Sequence, residues 1–506
     1  MTHRFAAALA LLAAPALVFA ADRLADPHPT AVPRTAAEAA RIAAVTAPTT
    51  EFGKPEAFET NSAGAATIPA RAAARGFLQP AGNIDFDRRL EFELGNAMFE
   101  KLWVSSPSST LASDGLGPLF NARSCRRCHV ANGRGHPPLS GDDSRVSMVM
   151  RLAVPAPQTT ALGILDDQAA RPDPTYGAQL QDLGIAGMPA EGSFDIAYEE
   201  IRVPLSEGEE AWLRNPTYSL RELNYGDAHP DLRLSPRIAQ QMIGLGLLDA
   251  IPTADILANA DPDDSNGDGI SGRAQIVQSH EYGAPMLGRF GHKAGQPTLR
   301  QQVAAAFHGD IGISSTLFSE GYGDCMPGQT RCRIAPDGST EHHDNREIGD
   351  IGLDLTTFYA ATIGVPARRD VGDAEVLRGK AVFYETGCIS CHTPKFVTHR
   401  LPDQPEQSFQ LIWPYTDLLL HDMGPGLADN SPEGRANGQE WRTPPLWGIG
   451  LTAQVSGHSF FLHDGRARSL LEAVLWHGGE AEAQKTRVIE MPKADRDALI
   501  RFLESL

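Results

Sequence analysis

The sequence predicts a mainly α-helical protein in which one helical unit is used twice, the first copy carrying a large insertion with some β-strand. Three observations carry this expectation. Apolar residues recur at helical spacing, as in Leu90, Leu94 and Met98 between residues 85 and 103. Matched segments appear in both halves: Gly95-x-x-x-Phe99 precedes Cys125-x-x-Cys128-His129, and Gly379-x-x-x-Phe383 precedes Cys388-x-x-Cys391-His392. Strand-like alternation of β-branched residues is concentrated between residues 145 and 225, in "SRVSMVMRLAVP" and "GSFDIAYEEIRVPL".

The elements follow in order. Met-Thr-His-Arg, an apolar run from Phe5 to Phe19 and small residues around Ala20 predict a cleavable signal peptide over residues 1–20. The run is too short for a comfortable membrane span, a retained anchor being the alternative. Residues 21–76, rich in Ala, Pro and Thr, predict an extended, partly flexible leader that wraps the body, with ordered packing starting near Phe77. Residues 77–365 form the first unit, interrupted by the insertion at about 145–290. Within it, "PRIAQQMIGLGLLDAI" at 236–251 has helical spacing and a Gly/Asp loop follows at 261–272. A linker at 365–374 leads into the second unit, residues 366–506. The repeat continues past the cysteines. Pro297-Thr-Leu299 leads to Phe307-His308-Gly309-Asp310, and Pro444-Pro-Leu446 leads to Leu462-His463-Asp464-Gly465.

Charge narrows the partners. The chain has 44 basic and 63 acidic side chains, net −19. Nucleic acid is excluded as a partner because phosphate neutralisation needs a basic surface. A basic electron-transfer partner suits the acidic balance, as does plain solubility.

Cysteine spacing carries the chemistry. Cys-x-x-Cys-His attaches a haem through two thioethers and supplies the next histidine to the iron. Two intervening residues let both sulfurs reach the vinyl groups on one haem edge. Two such sites in an exported chain predict two haem c groups, with His129 and His392 as iron ligands; a zinc site built from both pairs is the alternative. Cys325 and Cys332 are the remaining pair, and an oxidising compartment favours a disulfide over two free thiols. No cysteine is left for thiol chemistry. Met423 and His477 are candidates for the far side of the second iron. Asp264-x-Asn266-x-Asp268-Gly269 places alternating oxygen ligands before a glycine turn, as calcium loops do. The usual Glu at the twelfth position is Gln275, and a self-bonded Asx turn is the alternative.

"RTPPLWGIG", "FFLHDGRARSLLEAV" and "YTDLLLHDMG" resemble the bacterial di-haem cytochrome c peroxidase and MauG superfamily. "DPDDSNGDGISGRAQ", "FGHKAGQPTLRQQVAAAFHGDIGI" and "EAVLWHGGEA" resemble most closely its di-haem oxidoreductase branch, sometimes labelled thiol oxidoreductase. The resemblance runs from about Phe77 onward. It implies two cytochrome c-like domains with their haems facing a shared interface, in the periplasm. It also implies electron delivery from a small donor, such as a cytochrome c or cupredoxin, through the C-terminal haem to an N-terminal haem that reduces hydrogen peroxide. Relatives place a Met or Tyr as sixth ligand where this chain has His477, which implies a bis-histidine haem of lower potential; Met423 is the alternative. The distal residue over the N-terminal haem has four candidates, His136, Glu200, His308 and Glu320. His292 stands where relatives carry an aromatic, so an aromatic relay between haems would fall to another residue, such as Trp447. A MauG-like oxidase and a non-enzymatic electron carrier are the competing functions.

Overall fold

Two close helix crossings organise the molecule, and a glycine makes each possible. A Cβ at Gly95 would lie 2.1 Å from the Leu355 carbonyl oxygen, so Phe86–Glu100 and Asp350–Thr362 touch backbone to backbone. A Cβ at Gly379 would lie 1.9 Å from the Ala498 carbonyl oxygen, between Ala374–Thr386 and Lys493–Ser505. The crossing also fixes which face is buried. Phe92 and Phe99, three and four residues from Gly95, share its side and are buried. Leu90 and Leu94, the expected stripe, are instead 66% and 46% exposed.

This computed structural model describes residues 24, 26–71, 73–139, 147–155 and 170–506. The expected signal peptide, residues 1–20, lies outside them. No described helix is long and apolar enough to cross a membrane.

The mainly helical expectation is corrected. The described residues are 31% helix and 18% strand, in several small sheets, which is an ordinary mixed content. With 48 Gly and 37 Pro, the loops break helices early, and two- and three-residue strand pairs tie the loops together. The expectation of two cytochrome c-like domains falls with it. One buried cluster runs from Ala63, Phe77 and Phe99 through to Trp447 and Val455, so both units share a core.

The insertion is where the long strands lie. Met148–Pro155 pairs antiparallel with Arg233–Ile238. Ser193–Pro204 and Glu210–Arg221, twelve residues each, form a long hairpin, closed where Glu207 and Gly208 adopt φ of 60° and 79°. Its tip reaches the second unit. Leu205 and Leu213 enter the C-terminal core, and Arg496 pairs with Glu209 at 2.9 Å. Further back, the Tyr218 hydroxyl donates to Asp464 at 2.8 Å. The stretch 236–251 ends this strand and then gives only the short helix Leu245–Asp249.

The leader packs well before Phe77. Thr35 and Glu38 form a capping box that starts the helix Ala36–Thr46, and Thr67–Ile68 pairs in parallel with Val365–Pro366, inside the expected linker. Charge pairs hold it. Asp26 meets Arg289 at 2.7 Å, Glu56 meets Lys380 at 2.8 Å and also Lys395, and Glu59 meets Arg368. Hydrophobic periodicity does not register such ties.

Candidate functional site

Each Cys-x-x-Cys-His segment lines its own cavity. The N-terminal one follows Phe86–Glu100, and the C-terminal one follows Ala374–Thr386, whose start is capped by Asp373 and whose end turns at Gly387 with φ 92°. Phe99 lies 6.1 Å from the His129 ring, and Phe383 lies 6.1 Å from the His392 ring. The repeated Gly-x-x-x-Phe therefore has two jobs: glycine permits the crossing, and phenylalanine backs the histidine.

The histidines are fixed for use at Nε2. His129 Nδ1–H donates to the Gln240 carbonyl at 2.7 Å, and His392 Nδ1–H donates to the Tyr415 carbonyl at 2.9 Å. A carbonyl only accepts, so Nδ1 carries the proton and Nε2 keeps its lone pair. Burial pushes both rings down to about 4, which keeps them neutral. Burial likewise pushes the Cys125 and Cys388 thiols up to about 12. No group of three or more His, Cys, Asp or Glu among the described residues gathers as a metal site.

The C-terminal cavity encloses about 1580 Å³ of space, mouth included. His477 and Met423 both line it. His477 Nδ1–H donates to the Ala473 carbonyl at 2.8 Å, so its Nε2 is free in the same way. His421, on the same wall, is clamped by Asp417 and Glu480 at 2.8 Å each. Burial alone would lower its pKa, but Asp417 and Glu480 raise it well above the usual imidazole range. Its Nδ1 also lies 3.4 Å from Cys391 Sγ. Arg134 and Arg442 complete the wall, and burial pushes each guanidinium down to about 10.

The N-terminal cavity, about 1480 Å³, has a different wall. It carries Asp310, Glu433, Gln179, Arg151, Arg237 and Met242. Asp310 accepts from Gln179 at 2.8 Å, and burial raises its carboxyl above the usual range. Burial would raise Glu433 too, but Arg237 at 2.7 Å holds it down at about 2. Gln240, Gln241 and His292 line both cavities, so the two sites share a partition. Beside it, the His292 ring lies 6.4 Å from Trp441, which stacks on His463 at 3.8 Å.

None of the four expected distal residues lines the N-terminal cavity. His136 sits edge-on to His458, Glu200 pairs with Arg468 on the hairpin, His308 stacks on Phe318, and Glu320 accepts from Ser319. Trp447 is buried and lines neither cavity; Trp441 does. Asp310 was visible as the counterpart of the His463-Asp464-Gly465 turn. Glu433, Met242 and Arg134 come from separate segments and leave no local signal. In the Gly/Asp loop, Asp264 accepts from the Gly269 amide, Asn266 from the Asp268 amide and Asp268 from the Ile270 amide. The loop oxygens thus bond their own backbone. Cys325 and Cys332 are disulfide-bonded, Cα atoms 6.2 Å apart.

The two cavities, each with a Cys-x-x-Cys-His segment and a histidine offering Nε2, fit two haem c groups. The sequence pattern of the family described as "Di-haem oxidoreductase, putative peroxidase" matches residues 57–506. No curated protein matches the chain. A solved structure of hydrazine synthase from Kuenenia stuttgartiensis, pressurised with xenon, aligns at 14% identity over 90% of this chain and 100% of that one, with a TM-score of 0.27.

Proposed function

The chain belongs to the di-haem oxidoreductase family, and from that premise we propose an exported, peroxidase-like oxidoreductase of the periplasm that draws electrons from a small donor such as a cytochrome c or cupredoxin. Two covalently held haem c groups would supply the redox chemistry, including reduction of hydrogen peroxide. Cys125, Cys128, Cys388 and Cys391 would anchor them, with His129 and His392 presented to the irons. His477 would take the far side of the C-terminal iron.

The observation that carries the reading is the inequality of the two cavities. The C-terminal one offers a second histidine with Nε2 free. The N-terminal one has instead a polar wall with two carboxyl groups shifted in opposite directions, Asp310 up and Glu433 down. Asp310, raised by burial, is the group suited to hold and release a proton at Oδ. Glu433, pinned by Arg237, keeps its charge and the shape of the wall. A carboxyl raised by burial, beside an iron that His129 would hold from one side, would suit peroxide reduction. Met242 favours a second reading, a di-haem electron carrier, because its thioether also lines the N-terminal cavity.

The oxidised holoprotein decides between them. One high-spin haem that shifts on adding cyanide, with peroxide turnover by a reduced cytochrome, is expected of the enzyme. Two low-spin haems unmoved by cyanide would establish the carrier. Asp310→Asn should lower peroxide turnover about 10²- to 10⁴-fold, the usual size of one proton-transfer group, while the haem spectrum stays.

A further inference from the structure

Nine lysines and arginines are buried among the described residues, and eight have a carboxylate partner. The exception is Arg442. It is 5% exposed and spends its N–H groups on neutral oxygens: the Gly291 carbonyl at 2.9 Å, the Thr443 carbonyl at 3.1 Å and Gln240 Oε1 at 3.0 Å. The carboxylate whose charge reaches it, Asp417, is already held by His421. Arg134 lines the same cavity, and among the described residues no carboxylate pairs with it. One of its N–H groups donates to the Leu462 carbonyl at 3.0 Å, its plane sits over Phe461, and its Nε is buried with no partner.

A buried cation without a counter-charge is costly, and proteins rarely keep one. Arg442, with the half-buried Arg134 on the same cavity wall, indicates that an anion belongs there. A haem attached through its thioether edge carries its two propionate carboxylates on the opposite side of the macrocycle. Arg442 bonds Gln240 and Gly291, next to the partition formed by Gln240, Gln241 and His292.

We propose that Arg134 and Arg442 form the carboxylate-binding pole of the C-terminal haem pocket, directing its propionates toward the partition between the two sites. The inference rests on the haem reading above. It makes Arg134, five residues past His129, a positioning residue for the other haem, so the first unit completes the second unit's pocket. A planar guanidinium suits a carboxylate in forked contact.

The test uses holoprotein of Arg134→Gln, Arg442→Gln and Arg134→Lys, with haem counts by pyridine haemochrome, potentials by spectroelectrochemistry and propionate bands by resonance Raman. Each Gln variant should keep two haems per chain, lower the midpoint potential of one haem and leave the other, because losing a cation favours the oxidised iron. The propionate band of that same haem should shift. Arg134→Lys keeps the charge and loses the fork, so its potential should stay while the band shifts. It decides the matter if Arg134→Gln fails to accumulate, an unshifted band overturning the proposal. Two haems per chain with potentials and bands all unmoved would also overturn it. So would a wild-type potential that moves with added acetate or phosphate, which would assign the arginines to a free anion. Fewer than two haems in the wild type would instead sink the haem reading itself.

Discussion

At the scale of the residue, reactive groups were legible where their chemistry is local and illegible where it is assembled. Cys-x-x-Cys-His announces itself because attachment needs that spacing. The lock on each ring comes from the Gln240 and Tyr415 carbonyls, which no motif names. Glu433 and Arg134 reach their cavities from loops far along the chain, where no motif marks them. His477 was legible through its position after "LLEAVL", and its anchored Nδ1 gives a sharp expectation. His477→Ala should convert one low-spin haem to a high-spin or newly ligated form by electron paramagnetic resonance. Met423→Ala should leave the spectrum as it was. The reverse pattern would give the ligand role to Met423.

At the scale of the element, the repeated Gly-x-x-x-Phe signalled paired helices, but the buried face depends on what each glycine touches. Gly95→Ala and Gly379→Ala should each cost about 1–3 kcal/mol or more through overpacking, because a carbonyl oxygen stands where the methyl would go. Denaturant melts of the holoprotein check this, and a loss near zero would mean the crossings relax freely. The leader shows the other limit of sequence reading. Its composition suggested a loose tail, yet isolated carboxylates fasten it. Burial would raise Asp26 and Glu56, but Arg289 for the first and Lys380 and Lys395 for the second lower both below the usual carboxylate range. Their stabilisation is therefore present above the ordinary carboxylate pKa near 4 and lost as acid titrates the lowered groups. Hydrogen exchange should show residues 26–68 losing protection in acid before Phe86–Glu100 does. Simultaneous loss would mean that these pairs do not govern the leader.

At the scale of the molecule, the two sites are neighbours with a common partition, and Trp441 with His463 and His292 is the aromatic group beside it. Trp441→Phe should slow electron redistribution between the haems in stopped-flow reduction while the haem count holds at two per chain. An unchanged rate would remove Trp441 from the route. The mixed architecture was hardest to foresee, because two- and three-residue strand pairs depend on distant partners and leave no periodicity. The long hairpin brings this to a point. Residues 193–221 leave the ribosome long before the C-terminal unit is complete, yet Leu205 and Leu213 find their seats only in that unit's core, and Glu209 pairs with Arg496 in Lys493–Ser505. Order of synthesis and order of closure run opposite ways: an early-made arm waits, with two leucines uncovered, for the final turns of chain to give it something to clasp.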